Sequence, residues 1–305
     1  ICPCAARAVS PRRMRRIIFH VDVNSAFLSW EAVYRLRHLG GTLDLRTIPS
    51  AVGGDQEKRH GIILAKSIPA KKYKVQTGEP IVDARAKCPQ LMLVPPNYEL
   101  YQRSSKAMIR ILSEYTDQIE KYSIDEAFLD MTGICQDPKE TAEKLKEQIF
   151  RELGFTVNEG ISSNKLLAKM ASDFEKPDRV HTLWPEEIPK KMWPLPVRDL
   201  FLVGGRSQKK LEALGIFTIG QLAKAPEPVL YAALKSHGLQ IRKYANGIDE
   251  SEVVTVPPPN KGYGNSLTTP ADVTDPETAR LYLLSLAETV SARLRADGAM
   301  VRTVE

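Results

Sequence analysis

No apolar run in this 305-residue chain approaches the roughly 20 residues that a helix needs to cross a bilayer, so no membrane partner is expected and the chain reads as soluble. Cysteine is scarce. Cys2, Cys4, Cys88 and Cys135 are all there are, and Cys2-Pro3-Cys4 has no second pair to complete a zinc site. Reduced thiols in a cytoplasmic protein are the natural reading. Long internal repeats and low-complexity tracts are also lacking. What remains is an ordinary folded composition: 43% hydrophobic and 26% charged residues argue against disorder. The length allows two or more domains. A formal net charge of +6 suits a polyanionic partner, although many basic proteins bind no nucleic acid.

Two stretches stand out. In Tyr122-Ser123-Ile124-Asp125-Glu126-Ala127-Phe128-Leu129-Asp130, adjacent carboxylates sit inside apolar, strand-forming sequence. Neighbouring side chains of a strand point to opposite faces, so a plain strand would bury one acid. Cations, or a turn that exposes both acids, would relieve that cost. For an isolated Asp-Glu pair, a solvated hairpin tip is the plainer reading. The second stretch, Ile17-Ile18-Phe19-His20-Val21-Asp22-Val23-Asn24-Ser25-Ala26-Phe27, is a strand-like run that meets one carboxylate and passes at once into helix-forming sequence. One acid at the end of a strand and an acid pair about a hundred residues later suit a site for two Mg²⁺ ions.

HVDVNSAF followed by YSIDEAFLDMT resembles the palm of the Y-family (translesion) DNA polymerases of the bacterial polymerase IV type. The similarity runs in the family's order from about Arg16 to the chain end. It implies an α+β, multidomain right hand: a palm of antiparallel sheet plus helices over 14–39 and 95–172, and small fingers over 40–94. A helical thumb with a helix-hairpin-helix follows over 173–250, a linker over 251–261, and the start of a little finger over 262–305. Residues 1–13 lie outside the family's pattern, with Met14 as the natural start, and the little finger looks cut short.

The resemblance also implies site residues. Asp22, Asp125 and Glu126 would hold two Mg²⁺ ions, for which Mn²⁺ can substitute, with the Val23 carbonyl as an extra ligand. Phe27, five residues after Asp22, falls at the steric-gate position beside Ala26, under the sugar of an incoming dNTP. Taken by itself, Phe27 reads as a core aromatic on a first helical turn. Lys66-Ser67-Ile68-Pro69-Ala70-Lys71-Lys72-Tyr73-Lys74 reads as a solvated basic face. By resemblance it holds the triphosphate through Lys71, where the family has Arg, while Ile68 replaces a Tyr. Lysine brings a point charge in place of a planar fork. Lys165, in a helix first turn opened by Ser162 or Ser163, is placed by the family pattern near the same triphosphate. In the thumb, Val203, Gly204, Gly205, Arg206 and Lys209 would grip a DNA phosphate, although Leu202 stands where the hairpin's first glycine belongs.

Pro257-Pro258-Pro259 is a stiff boundary. Beyond it the pattern predicts a strand at Tyr263–Val273, a helix at Pro276–Arg295 and another strand from Met300 to Val304. The implied activity is template-directed addition of dNTPs to a primer 3′-hydroxyl, in damage tolerance and without proofreading. The implied protein is a cytoplasmic monomer on primer–template DNA; the replicative sliding clamp is a further partner, although no clamp-binding peptide is present. Two competitors remain. A nucleotide cyclase shares the acid-plus-metal logic but needs no DNA grip. A catalytically inactive DNA-binding scaffold would bind DNA without Mg²⁺-dependent synthesis.

Overall fold

The computed structural model describes residues 15–54 and 61–304; the expected extension over 1–13, Met14 and part of the basic turn after Gly54 lie outside them. In chain order the first elements are β1 (Ile18–Val23), α1 (Ala26–His38), β2 (Ser50–Gly53) and β3 (Ile63–Lys66). Next come α2 (Ile68–Lys72), α3 (Ile81–Lys87), β4 (Met92–Val94), α4 (Tyr98–Leu112), β5 (Ile119–Lys121) and β6 (Glu126–Asp130). Then follow α5 (Pro138–Leu153), β7 (Val157–Ser162), α6 (Lys165–Ser172), β8 (Val180–Thr182) and α7 (Ile188–Lys191). The chain continues with α8 (Gly205–Ala213), α9 (Ile219–Lys224), α10 (Glu227–Leu234), α11 (Ser236–Ala245) and α12 (Pro276–Ala296). Two compact units result: residues up to Asn24 with Tyr101–Thr255, and Ser25–Leu100 with the chain from Val256 onward.

The first unit is built on a five-stranded sheet in the order β5-β6-β1-β7-β8, antiparallel except for β7 beside β8. Every residue of β1 and β7 is buried, as central strands covered on both faces require. The two faces separate by alternation. On one, Gly160 admits α6 so closely that a Cβ there would lie 1.9 Å from the Ala168 carbonyl oxygen. On the other lie Phe19, Val21 and Glu159, and α5 packs against β7. Asp137 caps α5 by accepting from the Lys139 and Glu140 amides, and Gly154 closes it at φ 80°. Tyr101, Ser105, Met108 and Leu112 form the buried stripe of α4.

Two sequence expectations shift here. Gly160 to Ser162 belong to β7, so Asn164 caps α6, accepting from the Leu167 amide, and neither Ser162 nor Ser163 does. The Ser162 hydroxyl is already committed, donating to the Leu183 carbonyl. The strand expected at Phe155–Val157 accordingly starts at Val157 and runs five residues further. After β8, helices α7 to α11 enclose a second core in which Leu183, Met192, Leu211, Leu222, Leu230 and Ile241 are buried.

The second unit carries a small sheet, β3-β2-β4, antiparallel between β2 and β3 and parallel between β2 and β4. Ile63, Val75, Ile81, Ala84, Cys88 and Leu91 make its core. The helix expected near 276–295 forms as α12, its Asp275 cap accepting from the Thr278 amide at 2.8 Å. The strands expected at Tyr263–Val273 and Met300–Val304 do not form. A strand needs a neighbour for its backbone N–H and C=O groups, and these stretches have no ladder partner among the described residues.

Candidate active site

Asp22 lies in β1 directly opposite Glu126, the first residue of β6. Directly paired residues of an antiparallel ladder share a face with Cβ atoms about 5 Å apart, so the register alone sets these two carboxylates side by side. Asp125 is held in the turn that precedes β6. There the Tyr122 and Ser123 amides both donate to the Glu126 carbonyl at 3.1 Å. The Ser123 hydroxyl donates to Asp125 Oδ1 at 2.7 Å and accepts from the Glu126 amide at 3.0 Å. The Val23 amide donates to the Asp125 carbonyl at 3.1 Å, which ties the turn to the end of β1. Asp125 thus lies in the turn while Glu126 opens the strand, so no single turn takes both acids out.

Relief comes from cations. Because α6 lies against Gly160, Lys165 and Lys169, one helical turn apart, overhang the acid-bearing face. Lys169 Nζ is 3.0 Å from both carboxylate oxygens of Glu126. Lys165 Nζ is 2.8 and 2.7 Å from the two oxygens of Glu120 and 3.2 Å from the Glu252 carbonyl. Lys176, just beyond α6, contacts Asp22 Oδ2 and lies 2.7 Å from Asp173 Oδ1. Asn158, the partner of Asp22 on β7, donates to the Ser172 and Glu175 carbonyls at 2.9 and 2.7 Å, stitching the Lys176 segment to the sheet. Behind Glu126, the fully buried His20 ring sets Nδ1 2.8 Å from Ser172 Oγ and Nε2 3.7 Å from Glu126 Oε2.

Burial and ion pairing pull these groups in different directions. Burial raises the Asp22 carboxyl above its ordinary range, with Lys176 pulling against it. Burial also pushes Glu126 upward, but His20 and Lys169 outweigh it and hold that carboxyl at about 2. Burial lowers His20. It disfavours the charge on Lys176 too, yet Asp22 and Asp173 prevail and raise the lysine.

The other expected residues are distributed as follows. Lys165 is committed to Glu120 and to the chain at Glu252, and Glu120 also accepts from the Val254 amide at 2.8 Å. Val23 is buried at the end of β1. Ala26, Phe27 and Lys71 belong to the second unit: Ala26 is buried, Lys71 is exposed, and the Phe27 ring lies 6.0 Å from Trp30 and 6.3 Å edge-on from Tyr98. Ile68 is exposed at the start of α2. In the thumb, the Val203 side chain is buried, while Gly204, Gly205, Arg206 and Lys209 are exposed around the start of α8. A Cβ on either glycine would meet nothing within 4 Å, so the backbone there is open. Leu202, in place of the missing glycine, adopts φ 70°.

Among the described residues no three His, Cys, Asp or Glu side chains converge as a ready-made metal cage. The donor set nevertheless fits a hard divalent ion. It is all oxygen, two carboxylates face each other, and each has already drawn in an ammonium. Mg²⁺ takes few protein carboxylates and completes its shell with water and substrate phosphate, so a full cage is not required. His20, Ser123, Lys169 and Lys176 were not singled out from the sequence. The spacing of Lys165 and Lys169 on a helix after the acid strands was the available signal.

The fold matches solved polymerases. The fold is that of a Y-family DNA polymerase chimera of Dbh and Dpo4 (TM-score 0.79, 25% identity, covering 90% of this chain and 80% of that one). It also matches DinB from Sulfolobus solfataricus (TM-score 0.71, 25% identity, the same coverage). Both define the class as a right-hand, palm-containing polymerase. The impB/mucB/samB family matches residues 21–173, its helix-hairpin-helix motif 185–216, and its C-terminal domain 260–305. DNA polymerase IV of Clostridium acetobutylicum is 49% identical over 92% of this chain and 72% of its own length. That of Acetivibrio thermocellus is 41% identical over 96% and 73%, and DNA polymerase IV 1 of Bacillus subtilis 39% identical over 92% and 67%. The chain belongs to the impB/mucB/samB family of Y-family DNA polymerases.

Proposed function

We propose that the chain is a translesion-type DNA polymerase that adds dNTPs to a primer 3′-hydroxyl in DNA damage tolerance, without proofreading and with two Mg²⁺ ions held by Asp22, Asp125, Glu126 and the Val23 carbonyl. The observation that carries the reading is the β1–β6 register, which sets Asp22 against Glu126 with Asp125 in the adjoining turn. Bound divalent ions would supply Lewis-acid activation of the attacking hydroxyl and charge neutralisation of the leaving pyrophosphate. The chain's own part is positioning and electrostatics. Ser123 steadies Asp125, and His20 and Lys169 keep Glu126 ionised as an oxygen donor. Phe27 would exclude a ribose 2′-hydroxyl beside Ala26, and Lys71 would neutralise triphosphate charge. Lys165 would join it once released from Glu120.

The open backbone at Gly204 and Gly205, with Arg206 and Lys209 beside it, supports a sequence-independent grip on DNA phosphate. A monomer acting in the cytoplasm, with the sliding clamp as a partner, is part of the same reading and rests on the family alone. Primer extension on an undamaged template with Mg²⁺ and dNTPs tests it. Synthesis by the wild type that Asp125→Ala and Glu126→Ala both abolish is the expected result. Primer–template binding without synthesis would favour the non-catalytic scaffold.

A further inference from the structure

Three lysines, two on α6 and one just beyond its end, each meet a carboxylate of the same sheet face: Lys165 at Glu120, Lys169 at Glu126 and Lys176 at Asp22. The last two carboxylates belong to the proposed metal site. Lys169 is symmetrical about its partner, 3.0 Å from each oxygen of Glu126, so no oxygen of that carboxylate is left without an ammonium contact. Lys176 touches Asp22, whose side chain is only 10% exposed, and is steadied from its other side by Asp173 at 2.7 Å. Both ammoniums come from one short stretch, which Gly160 and Asn158 pin to the sheet.

From this geometry we infer that Lys169 and Lys176 are built-in counter-cations of the acid pair, and that a divalent ion reaches Asp22 and Glu126 by displacing or sharing with them. The inference rests on the proposed role of the acids as metal ligands. A cation that coordinates either Glu126 oxygen must compete with an ammonium already hydrogen-bonded there, and two positive charges on one carboxylate repel. The lysines therefore weaken metal binding to the protein alone. Appreciable occupancy then awaits a substrate whose phosphates add the negative charge that tips the exchange. They also keep two facing carboxylates from repelling one another before any ion arrives. Nothing in the motif suggests this, since the lysines lie more than 40 residues from the acid pair in sequence.

The test is Mn²⁺ binding, by calorimetric titration of the full chain without nucleotide or DNA. Lys169→Met and Lys176→Met should each tighten Mn²⁺ by roughly three- to tenfold, as removal of a positive charge within a few ångströms of a partly buried site implies. Lys169→Arg, which keeps the charge, should stay near the wild-type affinity. A lysine with a merely structural role would leave affinity unchanged or weaken it on removal, and thermal melts check that each variant is folded. Unchanged or weaker binding in both methionine variants overturns the inference, as does absence of binding in the Lys169→Met/Lys176→Met double variant. Asp22→Asn separates this from failure of the metal-site reading. If that substitution leaves Mn²⁺ binding intact, the acids are not the ligands and both readings fall. If it abolishes binding while the lysine variants bind like wild type, only the counter-cation inference falls.

Discussion

Glu126 and Glu159 are carboxylates on opposite faces of one sheet, and their circumstances are opposite too. Glu126 lies on the α6 face, where Lys169 and His20 hold it at about 2. Glu159 lies on β7 facing the other way, fully buried, and neither of its oxygens has a hydrogen-bond partner among the described residues. Its pKa is raised well above the ordinary carboxylate range by burial, with Glu143 adding to the effect and Lys146 too weak to offset it. Lys146 is engaged elsewhere, 3.3 Å from Glu143 and 3.2 Å from Asp178. The difference is that burial alone pushes the Glu159 carboxyl up, whereas at Glu126 the neighbouring His20 and Lys169 outweigh burial and pull it down.

The comparison can be broken in several ways. The largest effect should come from activity. Removing the Glu126 or Asp22 carboxylate by alanine substitution should slow primer extension by at least ~10²–10³-fold, the loss seen when one preorganised electrostatic group is deleted. Removing Glu159 as Glu159→Met should leave the extension rate within a few-fold of wild type. Single-turnover kinetics would separate the two.

Stability comes next. Gly160→Ala drives a methyl into the Ala168 carbonyl and the Ser172 amide, 1.9 and 2.5 Å from its Cβ position, and should lift α6 with its lysines off the sheet. A loss of about 1–3 kcal/mol or more is expected in chemical denaturation, the usual cost of overpacking. A drop in Tm of less than a degree would show that α6 is not seated on that glycine.

The same substitution at the two glutamates should act with opposite signs. Glu126→Met strands a lysine and should destabilise the fold by about 1–3 kcal/mol at pH 8, whereas Glu159→Met removes an unpartnered buried acid and should stabilise it by a similar amount. The signs follow from linkage. Glu126 has a depressed folded pKa, so its contribution is present above the unfolded value and is lost as pH falls toward about 2. Glu159 has a raised one, so the folded state carries no penalty from it below the unfolded value, and the penalty grows as pH rises toward the folded value. Both differences from wild type should therefore shrink on acidification below about pH 4, near the unfolded glutamate pKa. Melts of both variants from pH 2.5 to 8 check this, and parallel signs at pH 8 would refute it.

The smallest effect concerns the thumb. Leu202 is half exposed at φ 70°, where an L-residue is disfavoured by roughly 1–2 kcal/mol. Leu202→Gly should gain up to about 1 kcal/mol, the remainder offset by the added freedom of the unfolded chain. A destabilised variant would mean that the leucine side chain contributes contacts its exposure does not suggest.

Much of this was legible in the chain itself. The apolar runs ending in Asp22 and in the Asp125-Glu126 pair and the helical periodicity of α4 and α5 are local patterns. Local backbone preferences and alternation carry them without knowledge of what lies across the sheet. The same locality explains the errors. Ser162 looked like a helix cap because a serine before an apolar helix usually is one, but its hydroxyl had a distant carbonyl to satisfy. The expected strands beyond Tyr263 had the composition of strands and no neighbour to pair with among the described residues.

Sequence by itself determined the chemistry on offer: three carboxylates at the right spacing, the glycine pair of the thumb and the family pattern that orders them. Tertiary structure alone decided which cation meets which acid. Lys169 and Glu126 are 43 residues apart, Lys176 and Asp22 are 154 apart, and what joins them is the close approach of α6 over Gly160. Electrostatic energy depends on distance in space and on burial, and neither quantity is encoded in any short stretch of sequence. For the same reason Glu126 and Glu159, alike as letters, are shifted in opposite directions, one down by the cations around it and one up by burial.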